Sequence, residues 1–213
     1  KVLITDQISK IGISILEDSG LDTIYAPDSS QTKIYKMIKD VDGLIVRSGT
    51  VVDSKMINYA EKLQVIGRAG VGVDNINIST ATRKGIVVMN TPDVNTISAA
   101  EHTVALILTL SRNIHLGHNA LMKGHWNRHE LIGTELQNKI LGIIGLGKIG
   151  KEVMDRCRSF GMKIIVYDPY INHELYSDQE VYITNLDDLV KRADFITLHI
   201  PLNENTKNLF DYK

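Results

Sequence analysis

The sequence feature that most constrains the fold is a glycine-rich loop between an apolar segment and a helical pattern. Gly145-Leu146-Gly147-Lys148-Ile149-Gly150 has the spacing G-x-G-x-x-G and ends the apolar run Ile140–Gly145. In such a loop the first glycine permits a tight turn, the second lets backbone approach a pyrophosphate, and the third allows close helix–strand packing. The helix that follows would present N–H groups and a positive dipole to the phosphates. The loop therefore predicts a parallel α/β domain that binds a dinucleotide.

A carboxylate follows where this kind of domain uses one. Asp168 lies 23 positions after Gly145, at the end of the predicted strand Lys163–Tyr167. A carboxylate there accepts hydrogen bonds from the adenosine ribose and repels a 2′-phosphate, so it favours NAD over NADP. The alternative, a surface aspartate in an ordinary loop before Pro169, stays open from these residues alone.

Strand and helix patterns alternate on both sides of a turn at Thr91-Pro92-Asp93. The predicted strands are Val2–Thr5, Thr23–Tyr25, Gly43–Val46, Gln64–Gly67, Ile86–Met89, Ile140–Gly145, Lys163–Tyr167 and Phe195–Ile200, and helices are predicted at Lys151–Phe160 and Leu186–Arg192. Right-handed crossovers join such strands into parallel sheets covered on both faces. We predict two doubly wound domains of the α/β class: a flavodoxin-like domain over 1–93 and a Rossmann domain over 94–213 that is incomplete at its C-terminus.

A long helical pattern runs from Ile97 to about Met122. Its segment Val104–Leu108 is apolar around most of the helix circumference. A helix of this kind is buried on several sides, so it belongs either to a domain core or to a subunit interface. The sequence leaves both alternatives open.

Composition narrows the class of protein further. A formal net charge of −1 gives no basic field for nucleic acid or an anionic membrane, so neither is expected as a partner. No apolar run is long enough to cross a bilayer. The lone cysteine, Cys157, cannot form an internal disulfide, which suits the cytoplasm. Because the chain opens on Lys1 and its second series of strands stops early, we expect further residues beyond both ends.

Four of the seven histidines cluster, namely His115, His118, His125 and His129. Their i,i+3 and i,i+4 spacings could place imidazoles on one helix face, as in a zinc site. No cysteine or carboxylate completes a ligand pattern, and Gly117 and Gly124 interrupt the helix. We predict that this cluster binds no metal.

Several stretches, in order along essentially the whole chain, carry a family resemblance. They are Leu44–Ser48, Val65–Asn75, Met89–Pro92, Ser98–Glu101, Gly133–Leu136, the glycine loop and Phe195–Leu202. Together they resemble the D-isomer-specific 2-hydroxyacid dehydrogenase family. The resemblance implies that 1–93 binds substrate and that 94–213 binds NAD.

The resemblance also implies roles for individual residues. The substrate-binding residues would be Arg47, Ser48, Arg68, Val71, Gly72 and Arg128. The arginines would face a phosphate, Arg128 from a partner subunit, and the backbone N–H groups of Val71 and Gly72 would face the substrate carboxylate. Cofactor would be held by Val71, Gly145, Gly147, Lys148, Ile149, Gly150, Asp168, His199, Ile200, Pro201 and Thr206.

The activity that the resemblance implies is NAD-dependent oxidation of a small phosphorylated 2-hydroxy acid, 3-phosphoglycerate, to 3-phosphohydroxypyruvate at the start of serine biosynthesis. The family uses an arginine, a glutamate and a histidine that would lie beyond Lys213, so no catalytic residue is assigned and the 213 residues alone are expected to be inactive. The alternatives are a glyoxylate or hydroxypyruvate reductase of the same family and a non-enzymatic NAD-sensing corepressor scaffold. The expected assembly is a homodimer or a higher homo-oligomer.

Overall fold

The computed structural model describes residues 1–126, 128–171 and 181–211. It divides into two compact units, Lys1–Asn95 (unit 1) and Thr96–Lys213 (unit 2). Each unit contains one sheet, and the strand pairs of both sheets are parallel.

Unit 1 alternates strands and helices. Its elements are β1 (Val2–Ile4), α1 (Lys10–Asp18), β2 (Thr23–Tyr25), α2 (Gln31–Ile38), β3 (Gly43–Val46), α3 (Ser54–Tyr59), β4 (Val65–Arg68), α4 (Ile78–Arg83) and β5 (Val87–Asn90). The strand order is β2-β1-β3-β4-β5, with Ile4 of β1 beside both Tyr25 and Ile45. The order reverses between β1 and β3, and open α/β sheets bind ligands at such a switch point.

Local sequence signals account for the helices of unit 1. Side-chain oxygens of Ser9, Asp53 and Asn77 accept hydrogen bonds from the first turns of α1, α3 and α4, and each such cap contributes about 1 kcal/mol. The core forms where strand residues such as Leu3 and Ile66 meet helix residues on one side of the sheet. These contacts hold the carboxyl ends of the strands in a fixed arrangement.

Unit 2 begins with two helices and then forms its sheet. Its elements are α5 (Thr96–Ser111), α6 (Ile114–Met122), a 3-10 helix (Arg128–Leu131), β6 (Ile140–Ile144), α7 (Lys148–Ser159), β7 (Lys163–Tyr167), β8 (Val181–Ile183), α8 (Leu186–Arg192) and β9 (Phe195–Leu198). The strand order is β8-β7-β6-β9. It corresponds to strands 3-2-1-4 of a dinucleotide-binding sheet, with the switch point between β6 and β9.

The prediction of one continuous helix over Ile97–Met122 was wrong. α5 ends at Ser111, and Asn113 adopts a left-handed backbone with φ of 53° before α6 begins. Asparagine tolerates this conformation better than most residues, and a single such residue ends the run of helical hydrogen bonds. Strand β8 was not predicted either.

Helix α5 uses its two faces differently. Ala100, Val104 and Ile107 are buried in the core of unit 2, where α5 packs against α7. On the other side, Leu106 and Leu110 keep 50% and 64% of their surface exposed. One face is therefore core, whereas the other remains open. Across the described residues, no helix combines the length and apolarity needed to cross a membrane.

Candidate functional site

The glycine loop of unit 2 joins the end of β6 to the start of α7. Gly145 has φ of 89°, and a Cβ there would lie 2.6 Å from the carbonyl oxygen of His199. A Cβ on Gly150 would overlap the carbonyl oxygen of Gly145, whereas one on Gly147 would meet nothing within 4 Å. Packing therefore requires glycine at 145 and 150, whereas Gly147 leaves open space at the N-terminus of α7. The loop fits a pyrophosphate at this helix end.

Asp168 ties the end of β7 to the glycine loop. Its Oδ2 accepts a hydrogen bond of 2.8 Å from the backbone N–H of Leu146, and its Oδ1 accepts one of 2.9 Å from the N–H of Tyr170. Each carboxylate oxygen can accept more than one hydrogen bond. The carboxylate is therefore available to ribose hydroxyls while it also holds the loop, a second role that the sequence prediction did not include.

The segment after β9 lies against the same loop. A Cβ on Gly145 would also be 2.7 Å from Cγ2 of Ile200, so this isoleucine packs beside the turn. Nε2 of His199 is 2.9 Å from the hydroxyl of Thr197, and burial lowers the pKa of this imidazole, so the ring is neutral at pH 7. The hydroxyl of Thr206 donates to the carbonyl oxygen of Pro201 and shapes the turn beyond it. His199 and Ile200 thus lie beside the glycine loop, whereas Pro201 and Thr206 form the turn that follows them.

Replacing Asp168 with alanine in the complete protein should raise the KM for NAD and weaken the preference for NAD over NADP. The change removes the link to Leu146 and, in the role expected of this carboxylate, also a ribose acceptor and a charge that repels a 2′-phosphate. Steady-state kinetics with both cofactors measures the ratio. Asp168→Asn is the matched variant, because it keeps an acceptor oxygen but removes the charge. If neither variant changes the NAD to NADP ratio, Asp168 only holds the loop.

In unit 1, two arginines meet at the carboxyl end of the sheet. Arg47 follows β3 and Arg68 ends β4. They share the wall of a cavity of about 460 Å³, lined by Arg47, Ser48, Arg68, Ala69, Gly70, Val71, Thr91, Val94 and Asn95. A second, largely apolar cavity of about 690 Å³ touches the same two arginines. The side chain of Arg68 lies across Gly70, where a Cβ would overlap the guanidinium. Its Nε is buried and, within the described residues, has no hydrogen-bond partner.

The backbone after Arg68 is also held in place. The side-chain amide of Asn90 donates a hydrogen bond of 2.6 Å to the carbonyl oxygen of Val71. That carbonyl and the N–H of Gly72 belong to one planar trans peptide, so fixing the oxygen also fixes the direction of the N–H. The side chain of Asn90 therefore presets the direction of the Gly72 N–H.

Four of the six sequence-predicted substrate residues lie together within unit 1. Arg47, Ser48, Arg68 and Val71 line one cavity of unit 1, whereas Arg128 is exposed in the 3-10 helix of unit 2. Sequence reasoning missed three residues that anchor the loops of unit 1, namely Asp6, Asn75 and Asn90. Asn75 and Asn90 stand in two of the stretches that carry the family resemblance, and Asp6 follows the predicted strand Val2–Thr5 directly, but nothing in the linear sequence shows which backbone groups they bind.

The histidine cluster is exposed on α6 and the residues that follow it. Among the described residues, no group of three or more His, Cys, Asp or Glu side chains could hold a metal ion. Cys157 is a free thiol in the core of unit 2, and burial raises its pKa to about 11. Such a thiol stays protonated at neutral pH and is a poor nucleophile.

Comparisons with known proteins agree with these geometries. Residues 104–213 match the model of the D-isomer specific 2-hydroxyacid dehydrogenase NAD binding domain. A D-3-phosphoglycerate dehydrogenase of Methanocaldococcus jannaschii is 48% identical over 210 residues, which are 98% of this chain and 40% of that protein. The chain therefore spans well under half of the length of this relative.

Two solved structures are also similar. An NAD-dependent formate dehydrogenase from Staphylococcus aureus, in complex with NAD, has a TM-score of 0.87 at 29% identity, with 99% of this chain and 67% of that chain covered. A D-lactate dehydrogenase from Aquifex aeolicus, complexed with NAD and lactic acid, has a TM-score of 0.85 at 27% identity, with coverage of 97% and 62%.

Proposed function

The chain belongs to the D-isomer specific 2-hydroxyacid dehydrogenase family, and we propose that the complete protein oxidises 3-phosphoglycerate to 3-phosphohydroxypyruvate with NAD. The observation that carries this substrate is the pair Arg47 and Arg68 on the wall of one cavity. Two guanidinium groups suit a phosphate, because each presents several N–H donors in a fixed plane. The relatives named D-3-phosphoglycerate dehydrogenase support the same substrate.

The groups of unit 1 divide the substrate between them. The buried Nε of Arg68 lacks a hydrogen-bond partner within the described residues, and an anion would supply one. The peptide held by Asn90 offers the Gly72 N–H to the substrate carboxylate. Holding both ends of a three-carbon acid fixes the orientation of its C2. The proposal assigns substrate orientation to these residues, and it assigns no proton-transfer group within 1–213.

Unit 2 holds the cofactor in this proposal. The open space at Gly147 and the N-terminus of α7 suit the pyrophosphate, and Asp168 suits the adenosine ribose. When bound, NAD supplies the hydride acceptor for C2. Because the neutral imidazole of His199 bonds with Thr197 rather than a carboxylate, it lines the cofactor site in this proposal and moves no proton.

The activity of the complete protein tests the proposal. Consumption of NADH should be much faster with 3-phosphohydroxypyruvate than with hydroxypyruvate or glyoxylate, because only the first carries the phosphate that Arg47 and Arg68 bind. Comparable rates with the unphosphorylated acids would indicate a glyoxylate or hydroxypyruvate reductase instead. NAD binding without turnover of any of these acids would indicate a cofactor-sensing scaffold.

We also propose that the protein is a homodimer and that its interface includes the open faces of α5 and α6. Large apolar side chains are exposed along these two helices, namely Ile97, Leu106, Leu110, Ile114, Leu116, Leu121 and Met122. Contiguous exposed apolar surface marks an interaction site, and the commonest homo-oligomer is a two-fold dimer. The cytoplasm is the proposed location, where Cys157 would remain a free thiol.

Hybrid dimers test whether Arg128 acts in the partner's site, as the family resemblance implies. One complete chain carries Arg47→Ala and another Arg128→Ala, each defective alone, and the mixture is unfolded and refolded. If Arg128 acts across the interface, each hybrid has one site with both substitutions and one site with both arginines intact. Activity should then rise well above that of either parent. Verified heterodimers without recovery would place Arg128 outside the partner's site.

A further inference from the structure

The loop that carries Arg47 is held from two sides by side chains to which the proposed chemistry gives no role. This loop, Arg47–Thr50, is called here the arginine loop. Oδ2 of Asp6 accepts hydrogen bonds from the backbone N–H groups of Arg47, at 2.7 Å, and Thr50, at 3.2 Å. Nδ2 of Asn75 donates to the carbonyl oxygens of the same two residues, both at 2.6 Å. The first and last residues of the loop thus have both backbone polar groups bound by these two side chains.

The chemical types at the two positions are specific. A carboxylate offers acceptors to the two N–H groups, and an amide nitrogen offers donors to the two carbonyl oxygens. Turning the amide of Asn75 around would set its own oxygen against two oxygens, so the surroundings determine its orientation. Gly49 leaves room for this arrangement, because a Cβ there would overlap Oδ1 of Asp6. The loop conformation therefore depends on these particular side chains.

The place of this clamp in the fold ties it to the ligand site. Asp6 follows β1 and Arg47 follows β3, and these neighbouring strands flank the switch point of the sheet of unit 1. Nη1 of Arg47 also donates to the carbonyl oxygen of Gln7, at 3.3 Å. At the end of the arginine loop, the buried hydroxyl of Thr50 lies 2.9 Å from the hydroxyl of Thr5. An arginine with a fixed backbone and one bonded guanidinium nitrogen loses less freedom when it binds an anion.

We propose that Asp6 and Asn75 are positioning residues that hold Arg47 in place for the substrate's phosphate. This proposal rests on the proposed function, since it assumes that Arg47 binds that phosphate. Neither side chain needs to touch the substrate, because each acts through the backbone of the arginine loop. A loop anchor that served stability alone would affect all substrates equally, so the two roles can be separated by experiment.

Asn75→Asp in the complete protein is the primary test, because it is nearly isosteric and removes the donor that binds both carbonyl oxygens. It should lower kcat/KM for 3-phosphohydroxypyruvate about tenfold or more, mainly through KM, as expected for the loss of a charge-assisted contact. The loss with hydroxypyruvate should be threefold or less by the same reasoning, at roughly the limit of a structural effect. The matched control is Asn77→Asp, since Asn77 caps α4 and aspartate caps a helix equally well.

A double-mutant cycle with Arg47→Gln gives the readout that a structural role would not produce. If Asn75 acts through Arg47, Asn75→Asp should cost little once Arg47 is already glutamine. Additive losses, or equal losses on both substrates, would overturn the proposal. If Asn75→Asp does not fold, Asp6→Asn replaces it, because the amide oxygen can still accept the two N–H bonds that Oδ2 accepts but lacks the charge of the carboxylate. Its effect should be smaller than that of Asn75→Asp and should again be larger with 3-phosphohydroxypyruvate than with hydroxypyruvate.

Hydrogen exchange separates a failure of the clamp from a failure of the proposed function. Loss of either clamp residue should speed exchange of the backbone N–H groups of Arg47 and Thr50, whatever the substrate is. If exchange speeds up but Arg47→Gln leaves the substrate preference unchanged, the assigned substrate is wrong and this proposal falls with it. If Arg47→Gln abolishes the preference but Asn75→Asp changes neither exchange nor kinetics, only the positioning role is overturned.

Discussion

Replacing Gly150 with alanine should abolish measurable NAD binding and lower the melting temperature of the complete protein. Gly150 lies in the first turn of α7, where alanine by itself would favour the helix by about 1 kcal/mol. The packing opposes that gain, because the added Cβ would overlap the carbonyl oxygen of Gly145. That oxygen is backbone and cannot swing away, so the overlap costs about 1–3 kcal/mol or displaces the loop. We therefore expect the cost of the overlap to exceed the gain in helix propensity. The displaced loop should then no longer present the N-terminus of α7 to the pyrophosphate.

Gly147→Ala is the matched control for this substitution. Its Cβ would have no heavy atom within 4 Å, and Gly147 has φ of −70°, which alanine adopts freely. The melting temperature should therefore remain that of the unaltered protein, while NAD binding weakens because the methyl group occupies the space of the pyrophosphate. Thermal melting and fluorescence titration with NADH measure the two quantities. Equal melting temperatures for both variants would contradict the packing role of Gly150.

The sequence predicted most strands because each is a short apolar run between turn residues. β2, β3 and β7 have the predicted bounds, and the other predicted strands differ by one or two residues at one end or at both ends. The helix prediction over Ile97–Met122 failed for a physical reason. Apolar periodicity continues through Arg112 and Asn113, but the left-handed backbone of Asn113 is a single-residue event that a periodic pattern does not contain.

The candidate site was only partly predictable. The glycine loop and Asp168 could be predicted because their spacing reflects local geometry within one strand–loop–helix–strand unit. The contacts of Asp6 with Arg47 and of Asn75 with Thr50 join residues that lie 41 and 25 positions apart along the chain. Such pairs come together only once the strand order is fixed. The sequence therefore predicted Arg47 as a site residue but did not predict that Asp6 and Asn75 hold its loop.

Replacing Arg47 or Arg68 with glutamine should reduce kcat/KM for 3-phosphohydroxypyruvate about 30- to 150-fold. This corresponds to a loss of about 2–3 kcal/mol of transition-state stabilisation, as expected for lost charge-assisted hydrogen bonds. Reduction of hydroxypyruvate should change much less, because that acid has no phosphate to lose. The two variants should differ in stability. Arg47 is exposed, so its replacement should leave the melting temperature unchanged, whereas Arg68 is half-buried across Gly70 and its replacement should lower it slightly.

Arg83→Gln provides the matched control for both arginines. Arg83 is exposed at the end of α4 in the same unit, where its Nη2 donates to the hydroxyl of Thr80 at 2.9 Å. The substitution Arg83→Gln removes the same charge from the protein without changing the cavity wall, so the rates with both substrates should be unchanged. Steady-state kinetics of the three variants then distinguishes direct binding of the phosphate by Arg47 and Arg68 from attraction of the substrate by the net charge of the protein. If Arg83→Gln lowers the rate with the phosphorylated acid as much as Arg47→Gln does, net charge attracts the substrate and no direct contact is needed. If Arg47→Gln and Arg68→Gln lower the rates with both acids equally, the arginines recognise the carboxylate or support the fold, and the phosphate assignment is wrong.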